Sequence, residues 1–147
     1  MIVAYGGGKW CQEMILRWAS QGAGLESLRA DDALAVYAGY FANESVVRAS
    51  CDDYEAGSNE DVVMEREDQE VGRGIGVDTL LMFSKDYLGS RYDVPMGWKS
   101  FVMETAELKI GELTGVGHFL PEEAPEEVSE QVALFYLEVV QKIKARG

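Results

Sequence analysis

The sequence is short of basic residues, cysteine and long apolar runs, and each shortage argues against a class of protein. Its 147 residues include 13 Lys and Arg against 26 Asp and Glu, which gives a formal net charge of -13. Because nucleic acids and anionic bilayers are themselves negative, we expect neither as a partner. No apolar run approaches the roughly 20 residues that a membrane-spanning helix needs.

The two cysteines, Cys11 and Cys51, are too few for a disulfide scaffold and lack the spacing of a metal site. We therefore expect no metal site at the cysteines. The glycine-rich segments 6–9 and 72–76 lack the context of a phosphate loop or a dinucleotide loop, and we expect no cofactor. The first residues run directly into a glycine run, without the charged and apolar regions of a secretory leader. These features predict a cytoplasmic protein, and 47% hydrophobic residues are typical of a globular chain.

Residues 1–70 are predicted to be helical, with no convincing strand. One amphipathic helix is expected over residues 9–19, and a second is expected through the apolar residues of 34–41. Asp31 or Asp32 is expected to cap the second helix. A third helical stretch is expected to begin near Asn43 or Ser45 and to carry the apolar residues Val46 and Val47.

Residues 71–147 are predicted to alternate between strands and helices. Strands are expected over 77–83 and 108–113, a helix over 98–107, and a long last helix from Pro125. This βαβα order predicts an α/β fold with a parallel sheet.

The only histidine, His118, lies between the second predicted strand and the last helix. Glycine precedes it, phenylalanine follows it, and a helix start rich in Pro and Glu comes next. Histidine is the side chain best suited to moving protons near neutral pH. We predict that His118 is a catalytic base, although a lone histidine after glycine also fits a plain turn residue.

Three segments resemble α/β-hydrolases, in particular the haloacetate dehalogenase and epoxide hydrolase branch. Residues 115–127, GVGHFLPEEAPEE, resemble the histidine loop and last helix of that family. Residues 46–57, which contain CDDY at 51–54, resemble the end of its helical cap domain. Residues 77–93 resemble the strand that returns to the core, followed by a similar stretch, GSRYD, at 89–93. The resemblance implies a cap-domain remnant over 1–70 and the C-terminal part of a hydrolase core over 71–147.

The resemblance also implies a mechanism with a small-molecule substrate: a haloacid, an epoxide or an ester. A carboxylate nucleophile would form an ester, which water activated by His118 would hydrolyse. Asp86 would orient the imidazole, and Tyr54 would donate its hydroxyl to the leaving atom. Asp86 equally fits an exposed loop residue that caps a turn, and Tyr54 equally fits a packing residue of the helical part.

The sequence departs from that family because it has no Gly-x-Asp-x-x-Gly or Gly-x-Ser-x-Gly segment to supply a nucleophile. We therefore expect a truncated chain that is inactive alone. The alternative is a non-catalytic α/β module that binds a partner through exposed apolar surface. Self-association into a homo-oligomer is left open by the sequence.

Overall fold

The computed structural model describes residues 1–146, which are mostly helical. Within that range the chain forms nine α-helices, a short 3₁₀ turn and two β-strands. The helices of the first half are α1 Ile2–Tyr5, α2 Gly7–Trp18, α3 Ala23–Arg29, α4 Ala33–Phe41, α5 Glu44–Ser58 and α6 Glu60–Glu70. The elements of the second half are β1 Thr79–Ser84, α7 Val94–Lys99, β2 Leu108–Leu113, α8 Leu120–Glu123 and α9 Pro125–Arg146.

The chain divides into two compact units. The first unit contains residues 1–18 and 28–73, and the second contains residues 19–27 and 74–147. The short segment 19–27 therefore groups with the second half of the chain. No helix among residues 1–146 combines the length and the apolar character needed to cross a bilayer.

In the first unit, helices α2 and α4 pack closely at two glycines. A Cβ atom on Gly7 would overlap the carbonyl oxygen of Phe41, and one on Gly8 would lie 2.6 Å from the carbonyl oxygen of Ala38. Only glycine permits backbones to approach this closely. Asn43 caps the start of α5, which lies within the predicted range of Asn43 to Ser45, and its side chain accepts a hydrogen bond from the Ser45 amide at 3.0 Å.

In the second unit, β1 and β2 pair in parallel, with Thr79 opposite Leu108 and Ser84 opposite Leu113. The predicted parallel pair is therefore present, and β1 begins two residues after the predicted start at residue 77. The class is a helix-rich α/β arrangement with a small parallel sheet. The described residues do not form the α/β-hydrolase core that we expected.

The helix predicted over 98–107 is wrong. Helix α7 begins earlier, because the Asp93 side chain accepts from the Met96 amide at 3.1 Å and Pro95 lies in the first turn. Val102 instead forms an isolated parallel bridge with Ile75. The capping aspartate outweighed the spacing of the apolar residues that had suggested a later helix.

The last helix, α9, packs along the two strands. Its Gln131 side chain occupies the space beside Gly111, where a Cβ atom would overlap the amide oxygen. Lys109 of β2 contacts Glu138 at 2.5 Å, and Lys142 contacts Asp78 at 2.9 Å. The apolar cluster at its N-terminal end contains the buried residues Leu113, Val116 and Ala124, with Met82, Leu120 and Val128 packed against them.

We predict opposite effects for alanine at two helical glycines. Gly7→Ala should lower the free energy of unfolding by about 1–3 kcal/mol, because the added methyl group forces α2 away from α4. Gly39→Ala, in α4, should raise it by about 0.5–1 kcal/mol, because open space surrounds that position and alanine restricts the unfolded chain. Urea unfolding followed by circular dichroism measures both. Equal midpoints for the two variants would contradict the proposed packing of α2 on α4.

Candidate functional site

The candidate site lies beyond the carboxyl ends of the two parallel strands. Asp86 follows β1 and His118 follows β2, so the two loops leave the sheet at the same edge. This edge is where parallel α/β sheets place their ligands, because loops from neighbouring strands meet there.

Ser84, at the end of β1, joins these two loops. Its side chain is buried, and its hydroxyl donates to the Val116 carbonyl at 2.5 Å while accepting from the Tyr87 amide at 3.0 Å. The Lys85 amide also donates to the Leu113 carbonyl at 2.8 Å. The chain leading to His118 is thus fastened to the end of β1.

Asp86 holds the start of the histidine loop. Its Oδ2 atom accepts from the Gly115 amide at 2.6 Å, and Gly115 has a φ of 74°, a left-handed conformation that favours glycine. This bond fits a loop aspartate that caps a turn. The role of Asp86 in orienting the imidazole stays a prediction.

His118 is exposed and lies against aromatic rings. Its ring centroid is 5.3 Å from that of Tyr87 and 4.8 Å from that of Phe119, both in edge-to-face geometry. The guanidinium of Arg91 lies over the same Tyr87 ring, 4.4 Å from its centroid. An imidazole held between rings at the surface can exchange protons with a bound small molecule.

Glu123 is the residue of this site that sequence reasoning missed. Its side chain is only 5% exposed, and its carboxylate accepts hydrogen bonds from three backbone amides. The donors are Gly117 at 2.7 Å, Phe119 at 2.9 Å and Ser20 at 2.7 Å. Two of these amides flank His118, so one carboxylate fixes the backbone on both sides of the histidine.

The reach of Glu123 back to the amide of Phe119, the residue before α8, is similar to the bond of a capping-box glutamate, but Glu123 lies one position later than that motif places the acid. A glutamate in the first turn after a loop was therefore a local signal for that one bond. The bonds to Gly117 and Ser20 had no comparable signal, because they depend on tertiary contacts.

Glu123 carries its charge in spite of burial. Burial raises the pKa of the carboxyl, but hydrogen bonds from Ser20 and from the amides of Phe119 and Gly117 outweigh burial and leave the pKa below its ordinary value. The nearby Ser20 hydroxyl is buried without a hydrogen bond of ordinary geometry among the described residues. Its proximity to the carboxylate still favours the charged form.

Segment 19–27 is docked closely against the histidine loop and α8. A Cβ atom on Gly24 would overlap the Ser20 hydroxyl and lie 2.8 Å from Oε2 of Glu123. The Ser27 hydroxyl donates to the Glu122 carbonyl at 2.6 Å. Glycine at position 24 is therefore required for the close approach to Glu123.

Tyr54 lies on α5 in the first unit, and its side chain is 71% exposed. Its predicted part in binding a leaving group stays a prediction.

Within residues 1–146, no three His, Cys, Asp or Glu side chains form a group able to hold a metal ion. Cys11 is a buried free thiol and Cys51 an exposed one.

No family model matches this chain. Several solved structures are similar to it, including two that match it over most of its length. One is a protein described as a "Putative Acyltransferase" from Salmonella enterica, with a TM-score of 0.77 and 20% identity. The other is wild-type Cfl2 from Burkholderia cenocepacia, with a TM-score of 0.73 and 22% identity. The similarity covers 94% and 91% of this chain but only 43% and 42% of theirs.

The resemblance to haloacetate dehalogenases and epoxide hydrolases is wrong, and so is the description of the chain as a hydrolase of that kind. The similar structures carry other names, and the described residues are mostly helical with two parallel strands instead of a hydrolase core. The motif misled for a physical reason. A glutamate that binds loop amides and a Pro-Glu helix start account for much of the pattern without that chemistry.

We predict that Glu123→Gln lowers the free energy of unfolding by about 2–4 kcal/mol at pH 7, because charge-assisted bonds to buried amides are lost. The folded-state pKa of Glu123 is depressed, so its stabilising effect is complete above the unfolded-state pKa. That effect is lost as pH falls through the folded-state pKa. The difference between wild type and variant should therefore shrink in acid.

Urea unfolding of both proteins at neutral pH and at several acidic pH values measures this difference. Comparing two proteins cancels the titration of the many other carboxylates. A difference that stays constant or grows as pH falls would contradict the assignment of a charged, hydrogen-bonded Glu123.

Proposed function

We propose that this chain takes part in acyl-group transfer, with His118 as the general base. One observation carries the proposal. The imidazole is exposed at the carboxyl edge of a parallel strand pair, while the amides on both sides of it are fixed by a buried carboxylate. A base that is both accessible and held in place suits proton transfer to a bound substrate.

In the proposed reaction the donor is an acyl thioester and the acceptor is a hydroxyl or an amine. His118 accepts the acceptor's proton as its oxygen or nitrogen bonds to the acyl carbon. The carbon–sulfur bond breaks, and the imidazolium returns the proton to the departing thiolate. The acyl group has then changed carrier, and the histidine ends in its starting form.

The surrounding residues support this role by limiting movement of the loop. Ser84 and Asp86 form hydrogen bonds with the backbone before His118, and Glu123 accepts hydrogen bonds from the amides on both sides of it. Tyr87 and Phe119 place aromatic edges and faces against the imidazole. A base restricted in this way loses little conformational entropy when the substrate reaches it.

The fold likeness to the Salmonella protein, which is described as an acyltransferase, supports the reaction class. The chain spans about two fifths of that protein's length. We therefore propose, as a separate point, that this chain contains all the residues needed for acyl transfer. A small-molecule substrate and a cytoplasmic location belong to the same proposal. The acidic composition favours partners other than nucleic acid.

A second candidate is a non-catalytic module that binds a partner. It is favoured by an apolar stripe on α9, made of Val132, Tyr136 and Ile143, which recur at helical spacing and stay exposed. Tyr136, the largest of the three, is 66% exposed. A module of this kind would show no reaction that depends on His118, so one activity experiment separates the two candidates.

We predict that the wild-type chain transfers acyl groups from N-acetylcysteamine thioesters to small alcohols or amines, and that His118→Gln lowers the rate by about 100-fold or more. Glutamine keeps a polar side chain at this exposed position but cannot act as the base. Mass spectrometry of a panel of thioesters and acceptors detects the products.

Thr114→Ala is the matched control, because it changes an exposed residue of the same loop and should leave the rate unaltered. Two results would contradict the proposal. One is the absence of transfer by the wild-type chain from every donor. The other is an unchanged rate in the His118→Gln variant.

A further inference from the structure

We propose that Glu123 is the positioning residue of His118, and that it couples the histidine to segment 19–27. The inference rests on the proposed function for its catalytic meaning. The coupling itself is a property of the fold and can be measured without turnover.

Two of the three amides that donate to Glu123 lie on either side of His118. The amides of Gly117 and Phe119 bracket His118, and each donates to a different oxygen of the same carboxylate. With the backbone held before and after it, the histidine has little freedom to leave its position against Tyr87.

Capping of α8 does not account for this arrangement. Only the Phe119 amide lies at the start of that helix, whereas the Gly117 amide precedes His118 and the Ser20 amide comes from a distant segment. A residue that served the helix alone would not need the other two bonds. The extra donors indicate that Glu123 organises the loop and segment 19–27 together.

Burial makes the coupling strong. If segment 19–27 moved away, the buried carboxylate would lose its hydrogen bond from the Ser20 amide. Such a loss is costly, because water cannot replace the hydrogen bond of a buried charged group. The close approach of Gly24 and the Ser27 bond to the Glu122 carbonyl hold the segment from its other end. Displacement of segment 19–27 should therefore displace the histidine loop.

The single histidine of the sequence makes the position of His118 measurable by NMR. Its imidazole protons should show cross-peaks to the Tyr87 ring in the wild-type chain. Glu123→Gln should reduce their intensity by at least half. Gly24→Ala should do the same without altering any charge, because the methyl group pushes on Ser20 and Glu123.

Two controls separate positioning from general effects. Glu126→Gln removes an equal charge from an exposed site at the start of α9, and Gly39→Ala adds an equal methyl group where space is open. Both should keep the wild-type cross-peaks. Wild-type intensity in a folded Glu123→Gln or Gly24→Ala variant would overturn the inference.

Hydrogen exchange in the wild-type chain gives a test that needs no variant. The amides of Ser20, Gly117 and Phe119 should be protected and should open together, because all three donate to one buried carboxylate. Exchange of any of them at the rate of an open loop would overturn the inference even if Glu123→Gln fails to fold.

The outcomes also separate this inference from the proposed function. If His118→Gln retains full acyl transfer while the cross-peaks depend on Glu123, the coupling stands and the proposed function fails. If acyl transfer depends on His118 while the cross-peaks survive Glu123→Gln and Gly24→Ala, the proposed function stands and the coupling is overturned.

Discussion

The second unit depends on one buried negative charge, the carboxylate of Glu123. An ionised carboxylate away from water costs several kcal/mol unless hydrogen bonds replace its hydration. Here three backbone amides provide that replacement, and they come from the histidine loop, the start of α8 and segment 19–27. The positions of these three segments therefore depend on one another, because all three donate to the same carboxylate.

The apolar packing beside the carboxylate explains why water does not take over this role. Val116, Leu113 and Ala124 are buried next to the loop and helix that Glu123 organises. The Ser84 hydroxyl ties Val116 to the end of β1, which brings the sheet into the same arrangement. Burial of apolar surface excludes solvent, and exclusion of solvent strengthens the hydrogen bonds to the charge. The exposed imidazole is thereby supported by a buried, hydrogen-bonded interior.

The sequence predicted the features that depend on local signals. The two strands followed from short apolar runs, and their parallel pairing followed from the predicted alternation of strand and helix. The start of α9 followed from Pro125, and the start of α5 lies in the range predicted from Asn43 to Ser45. The apolar residues of 98–107 predicted too late a start for α7, which begins after the capping side chain of Asp93. Glu123 was missed because two of its three partners depend on packing, and no spacing rule connects position 20 with position 123. The family resemblance failed for a related reason: local loop and helix-start chemistry can produce the same motif in a different fold.

A carbon-13 NMR titration of the Glu123 carboxyl tests most directly whether one charged carboxylate holds the three segments together. The amide protons of its three donors are followed in the same titration. We expect a midpoint below the ordinary glutamate value, as the hydrogen bonds require. The amide protons of Ser20, Gly117 and Phe119 should shift with that same midpoint, because one protonation weakens all three bonds. An ordinary midpoint, or three amides that respond at different pH values, would contradict the claim that one carboxylate holds these segments together.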